Sequence, residues 1–150
     1  MQVNLNCNQP KPQFGMAFRR PSDSNELKAL ANMIMDNTNA KMQKIRTKGF
    51  KQFENEQELL VRFDISFNPN NNSLEVINNK TNKVIETFPH FANQTGLDIM
   101  GETQYLGKNF LTKILNPQKL LPKEFHLASE HAKRLEKDAI EKENIMNWLF

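Results

Sequence analysis

From Leu59 onward the apolar residues fall at every second position, Leu59, Val61, Phe63, Ile65 and Phe67, with Leu60, Arg62, Asp64 and Ser66 between them. A spacing of two puts one set on a single face of a pleated strand, whereas a helix would scatter it around its axis. A half-buried strand needs neighbouring strands and a layer over its apolar face, so this stretch constrains the fold more than any other. The neighbours follow at once. Asn68-Pro69-Asn70-Asn71-Asn72 is a turn composition, Leu74 and Val76 begin a second strand, and Asn78 to Asn82 forms a second polar turn. A third strand is expected around Lys83 to Phe88, stopped by Pro89. Opposing residues whose numbers sum to 139 would set Ile65 against Leu74 and Phe63 against Val76, whereas a sum of 140 would set Ile65 against Glu75. Burial favours the first register. Val84, Ile85 and Phe88 do not alternate cleanly, so the pattern leaves the inward face of the third strand unassigned.

On either side of this block the apolar period lengthens. Asp23 followed by Glu26 approximates a capping box, and Leu27, Leu30, Ala31, Ile34, Met42 and Ile45 share a helical face if Thr38 is admitted to it. Lys44, Arg46 and Lys48 suit the negative end of a helix, and Gly49 suits the left-handed residue beyond it. The spacing predicts one helix over 23–48, with Phe50 and Phe53 in a short turn or helical extension. After a loop through His90 to Gly96, Met100, Thr103, Leu106, Phe110 and Ile114 suggest a second helix over 98–115. Pro122 suits the start of a last one, whose stripe Phe125, Ala128, Ala132, Leu135, Ala139, Met146 and Leu149 follows three-four spacing. The alanines on it imply close approach to a neighbouring surface.

The expected architecture is α+β: a three-stranded antiparallel β-meander packed with an N-terminal helix and two C-terminal helices. It forms a single domain over 22–150 behind a flexible or extended tail over 1–21. The abundance of Asn, 20 residues against five Gly, fits a chain that turns on asparagine.

The segment ending in Asn79-Lys80-Thr81-Asn82-Lys83-Val84-Ile85-Glu86-Thr87-Phe88-Pro89 resembles the flagellar protein FlaG family, which has a comparable hairpin ending in a proline. The resemblance covers about 30 of the 150 residues and departs from the family in lacking a glycine in the turn.

The longest apolar run is three residues, as in Met33-Ile34-Met35, too short for a membrane span. A single cysteine, Cys7, cannot form an internal disulfide, and a cytoplasmic location is expected. His126 and Glu130 could share a helical face, but His131 points elsewhere, the stretch is one residue too long for a His-x-x-Glu-His zinc pattern, and His90 sits alone in a loop. The five glycines form no phosphate-binding loop. No catalytic set, metal or cofactor is therefore expected.

Charge is uneven. Residues 1–51 carry nine cations against three acids, 52–100 three against seven, and 101–150 eight against seven, so +6, −4 and +1 make the total of +3. Arg19, Arg20, Lys41, Lys44, Arg46, Lys48 and Lys51 are candidate contacts to nucleic-acid phosphates, with Phe50 or Phe53 available to stack on bases. Four of these cations fall where a helix end would favour them for stability alone. Phe14, Met16 and Phe18, in the run Phe14 to Pro21, either dock back on the domain or form a linear binding motif. Trp148 and Phe150 end a charged helix, where the tryptophan either anchors an interface or covers a neighbouring loop while Met146 and Leu149 close the core. The first reading is a small non-enzymatic protein-interaction module, its partner another protein or a second copy. A basic nucleic-acid-associated protein is the alternative, and an enzyme of unrecognised type a distant third.

Overall fold

The computed structural model describes residues 17–36, 38–92, 94–95 and 117–149. The helix expected over 98–115 lies outside them.

The Asp23 carboxylate accepts the amides of Asn25 and Glu26, each at 3.1 Å, and so caps α1 (Ser24–Ile34). One continuous helix to residue 48 was the expectation. The chain instead breaks after Ile34, because short polar side chains take over the backbone's hydrogen bonds. The Thr38 hydroxyl donates to the Met35 carbonyl at 2.6 Å, and the Asn39 side chain accepts the Met42 amide at 2.9 Å, capping a new helix, α2 (Ala40–Gln57). That helix does not stop at Gly49. Gly49 is buried inside it, against a 3₁₀ turn at Pro117–Leu120, and a Cβ there would lie 2.4 Å from the Pro117 carbonyl oxygen. Its missing side chain serves close packing rather than termination.

The sheet is mixed and four-stranded, in the order β1 (Phe18–Arg19), β2 (Phe63–Asn68), β3 (Ser73–Asn78), β4 (Lys83–Pro89). The three expected antiparallel strands are present. The correction is β1, which runs parallel to β2 and comes from the segment expected as tail. Phe18 lies opposite Ile65, the Ile65 amide donates to the Ala17 carbonyl at 2.6 Å, and the Phe18 ring sits edge-on to Phe50 and Phe53 at 5.5 Å from each. Burying one large aromatic ring in this way holds a strand too short to show any period.

β2 begins at Phe63, not Leu59. Glu136 accepts the amides of Val61 and Arg62 at 3.0 and 2.8 Å, which turns the chain before the ladder starts. Leu60 then enters the core, while Leu59 (79% exposed) and Val61 face outward. The register also differs from expectation. Ile65 opposes Val76, Phe67 opposes Leu74 and Phe63 opposes Asn78, a sum of 141. The shift of two preserves parity, so the same residues face the core. It arises because the turn closes at the Asn68 and Ser73 pair, with the Asn70 amide bonded to the Asn68 side chain at 2.9 Å and Asn72 in the left-handed region at φ 53°. Asn82 does the same in the second turn at φ 60°. In β4, Val76 opposes Glu86 but Ile77 opposes Val84, so Ile85 is the extra residue of a bulge. That bulge is why the third strand showed no clean alternation.

α3 (Lys123–Leu149) closes the structure over the sheet. Phe125, Ala128 and Ala132 are buried in one core with Leu30, Met33 and Phe53 of the other helices and Phe18, Ile65, Leu74 and Val76 of the sheet. Ala128 and Ala132 are fully covered, as close approach requires. No described helix is long and apolar enough to cross a membrane.

Candidate functional site

α3 outlasts the domain that it covers. Leu135 and Ala139 still pack on the core, and Arg62 still reaches up the helix, pairing with Glu136 and with Glu143 at 2.6 Å. These contacts keep the Arg62 guanidinium protonated well above its ordinary range. From Ile140 to Leu149 every residue is exposed. Ile145, Trp148 and Leu149 stand at i, i+3 and i+4, on a face roughly 140° around the helix from the Phe125, Ala128 and Ala132 stripe. Trp148 is 84% exposed, and Ile145 and Leu149 more than half. The other aromatic candidates divide. Phe18 follows the docking reading and not the binding-motif one: at 4% exposure its ring is part of the core, which corrects its place among the partner-binding candidates. Phe14, Met16 and Phe150 lie outside the described residues.

The seven basic candidates separate by the same test. Arg19 is bound to Asp64 at 2.6 Å and to Asn82 at 2.9 Å on the outer face of the sheet. Arg20 forks onto Glu54 at 2.7 and 3.1 Å and lies over the Phe50 ring. Arg46 is buried, donating to the carbonyls of Ile34 at 2.6 Å and Asp36 at 3.2 Å, and so satisfies the end of α1. Burial pulls its pKa below the ordinary value, opposed by the nearby charges of Asp36 and Glu124. Phe50 and Phe53 stack on each other and meet Phe125 edge-on, Phe53 inside the core and Phe50 packed against it, which removes them as platforms for bases.

Lys41, Lys44, Lys48 and Lys51 remain, all exposed and within an arc of roughly 80° on the outer side of α2. In a helix ending at residue 48, Lys44 and Lys48 would lie in the last turn, where the helix dipole welcomes cations. Because α2 runs on to Gln57, the four instead occupy its first and middle turns, and its last turn holds no basic residue. Like charges at i+3 and i+4 there each cost about 0.2–0.5 kcal/mol.

One cluster was not foreseen. His90, just after β4, bonds through Nδ1 to Glu124 at 2.5 Å and through Nε2 to Asp36 at 2.9 Å, while the Phe91 amide donates to the other Glu124 oxygen at 3.2 Å. Glu124 is fully buried at the start of α3, and Asp36 lies in the break between α1 and α2, so the imidazole joins three parts of the chain. Beside it, a cavity of about 160 Å³ is lined by Arg46, Phe91, Gln94, Thr95 and Pro122 as well as Asp36 and His90. With both ring nitrogens held by carboxylates, His90 offers no lone pair to a substrate proton or a metal ion. His126 and Glu130 are not among the residues around that cavity, and His131 packs edge-on to Phe88 instead. Among the described residues no group of three potential ligands could hold a metal ion. No local signal pairs His90 with Asp36 or Glu124, since they are 54 and 34 residues away.

Burial works against charge on His90, but its hydrogen bonds to Asp36 and Glu124 outweigh that and hold the imidazole above its ordinary value of 6.5. A base whose folded pKa is raised stabilises the fold fully below its unfolded value and loses that contribution as pH rises through the folded value. Burial pushes the Glu124 carboxyl above 4.5, against the opposing pull of His90, so its ionisation also disfavours the fold as pH rises. Melting temperature should therefore decline as pH climbs upward from 6.5, and His90→Gln should flatten the decline. A wild-type melting temperature that rises across that window would contradict the assignment.

No family model matches the chain, and neither does any curated protein or any solved structure. The likeness of residues 79–89 to the FlaG hairpin therefore carries no functional inference.

Proposed function

We propose that this chain is a non-enzymatic protein-interaction module whose docking element is the projecting end of α3. The observation that carries the reading is the second apolar face of that helix, Ile145, Trp148 and Leu149, turned away from the domain core with its tryptophan 84% exposed. Anchors at i, i+3 and i+4 are how an amphipathic helix enters a hydrophobic groove, and tryptophan is among the residues that most often dominate such contacts. The partner this fits is a protein with an apolar groove. One tryptophan and two aliphatic side chains supply roughly 400 Å², about half of the ~800 Å² that each side of a stable interface contributes. A flat pairing of two copies through this face falls short of that. A groove that also wraps the charged flanks around Glu141 and Lys142 does not.

Trp148 is the only tryptophan, so its emission reports directly on the proposed contact. The test captures proteins from the native host with wild type, with Trp148→Ala and with Ile145→Asp, then mixes each purified candidate with the wild-type chain. The expected result is a protein lost with both variants that also shifts Trp148 emission to the blue. Trp148→Ala itself should alter stability by no more than about 0.5 kcal/mol, because the side chain is exposed. Partners that survive both substitutions would overturn the reading, as would a blue shift that grows with the concentration of the chain alone.

A further inference from the structure

We propose that the outer face of α2 binds the phosphate backbone of duplex nucleic acid without reading its sequence. Lys41, Lys44, Lys48 and Lys51 form a stripe about 15 Å long on one side of the helix. From Ala40 to Phe53 the helix contains no acidic residue. Lys44, Lys48 and Lys51 form no ion pair with another described residue. The arrangement works against the helix that carries it, since neighbouring lysines repel and those in the first turns oppose the dipole. A polyanion laid along the stripe removes that repulsion and releases its own counterions, which is the main source of sequence-independent affinity.

The same geometry narrows the ligand. Single-stranded nucleic acid is held through stacked bases as well as phosphates, and the aromatic rings that α2 itself carries, Phe50 and Phe53, are committed to the core. The duplex backbone needs only point charges in a row. An anionic membrane would call for apolar side chains among the lysines, and the exposed residues that flank them on α2, Ala40, Thr47, Gln52 and Asn55, offer no apolar group larger than a methyl. This reading does not depend on the role of α3, because it uses a different helix and a different readout.

The test measures binding of a short labelled DNA duplex by the full chain across a range of salt, beside Lys44→Gln/Lys48→Gln/Lys51→Gln. With four phosphates neutralised, the logarithm of the wild-type affinity should fall against the logarithm of salt with a slope of about −3.6. The triple variant, left with Lys41, should bind at least about ten-fold more weakly at low salt, with a slope of about −0.9. Its melting temperature should equal or exceed that of the wild type, which separates lost contacts from lost folding. Equal binding of duplex DNA and duplex RNA supports the proposal, since both present phosphates. It is overturned if the wild type binds no duplex at low salt, if the triple variant keeps the wild-type affinity and slope, if single strands are strongly preferred, or if phosphatidylserine vesicles are bound where duplexes are not.

Discussion

Phe53→Ala should lower the unfolding free energy by about 4 kcal/mol, within the usual range for truncating a buried aromatic ring. Phe53 is 1% exposed, and its ring meets Phe18 edge-on at 5.5 Å, Phe125 edge-on at 5.2 Å and Phe50 stacked at 6.1 Å. Those neighbours belong to β1, α3 and α2, so a cavity there loosens the seat of the parallel edge strand along with the helix packing. Edge-on and offset pairs are worth about 0.5–1.5 kcal/mol each beyond the area buried, which places this site toward the upper part of the range. Urea unfolding checks it: the midpoint should fall sharply with the slope unchanged. A loss below 1 kcal/mol would mean that the four rings do not form one packed unit. Trp148→Ala, by contrast, should cost almost nothing, because that side chain is 84% exposed.

Gly49→Ala should destabilise the protein by about 2 kcal/mol, the reverse of what helix propensity suggests. In an open helix the change would gain about 1 kcal/mol. Here the new methyl would lie 2.4 Å from the Pro117 carbonyl oxygen and 2.7 Å from its carbon, both backbone atoms that cannot swing aside. Overpacking of this kind costs about 1–3 kcal/mol or more, and the direct clash with backbone puts this case at or beyond the upper end. Gly49→Leu should cost more still, because the 3₁₀ turn at Pro117–Leu120 would have to leave α2 and take Leu120 away from Met42 and Ile45. Thermal unfolding of both variants checks the sign. A more stable Gly49→Ala would show that Gly49 is not pressed against Pro117 at all.

The same glycine illustrates how much of the fold was legible in the residues. Its place after three cations looked like a helix end, and nothing nearby contradicts that; the contact that keeps it inside the helix comes from a residue almost seventy positions away. The misplaced end in turn hid the lysine stripe, which reads as ordinary dipole compensation until α2 is seen to continue. Phe18 had no neighbours in any periodic pattern, and only the ring cluster shows that it belongs to the sheet. Ile145, Trp148 and Leu149 could be listed from the residues, but whether the final turns of the last helix lie on the domain or stand clear of it could not.

Local chemistry by itself determined the strand character of Phe63 to Phe67, the parity of the first hairpin, the Asp23 cap, the asparagine turns and the core stripe of α3 as far as Ala139, though not its expected continuation to Met146 and Leu149, which are exposed. These depend on neighbours two to four positions apart, where backbone geometry dictates which side chains share a face. Tertiary structure alone decided the start of β2 under the Glu136 carboxylate, the parallel edge strand, the interior place of Gly49 and the clamp of His90 between Asp36 and Glu124, while the closing geometry of the first turn set the two-residue shift of register. In each, partners from 34 to 75 residues away, or the closing pair of a turn, chose among conformations that local preference left nearly equal. Burial and hydrogen-bond satisfaction separate such alternatives only once the chain has met itself.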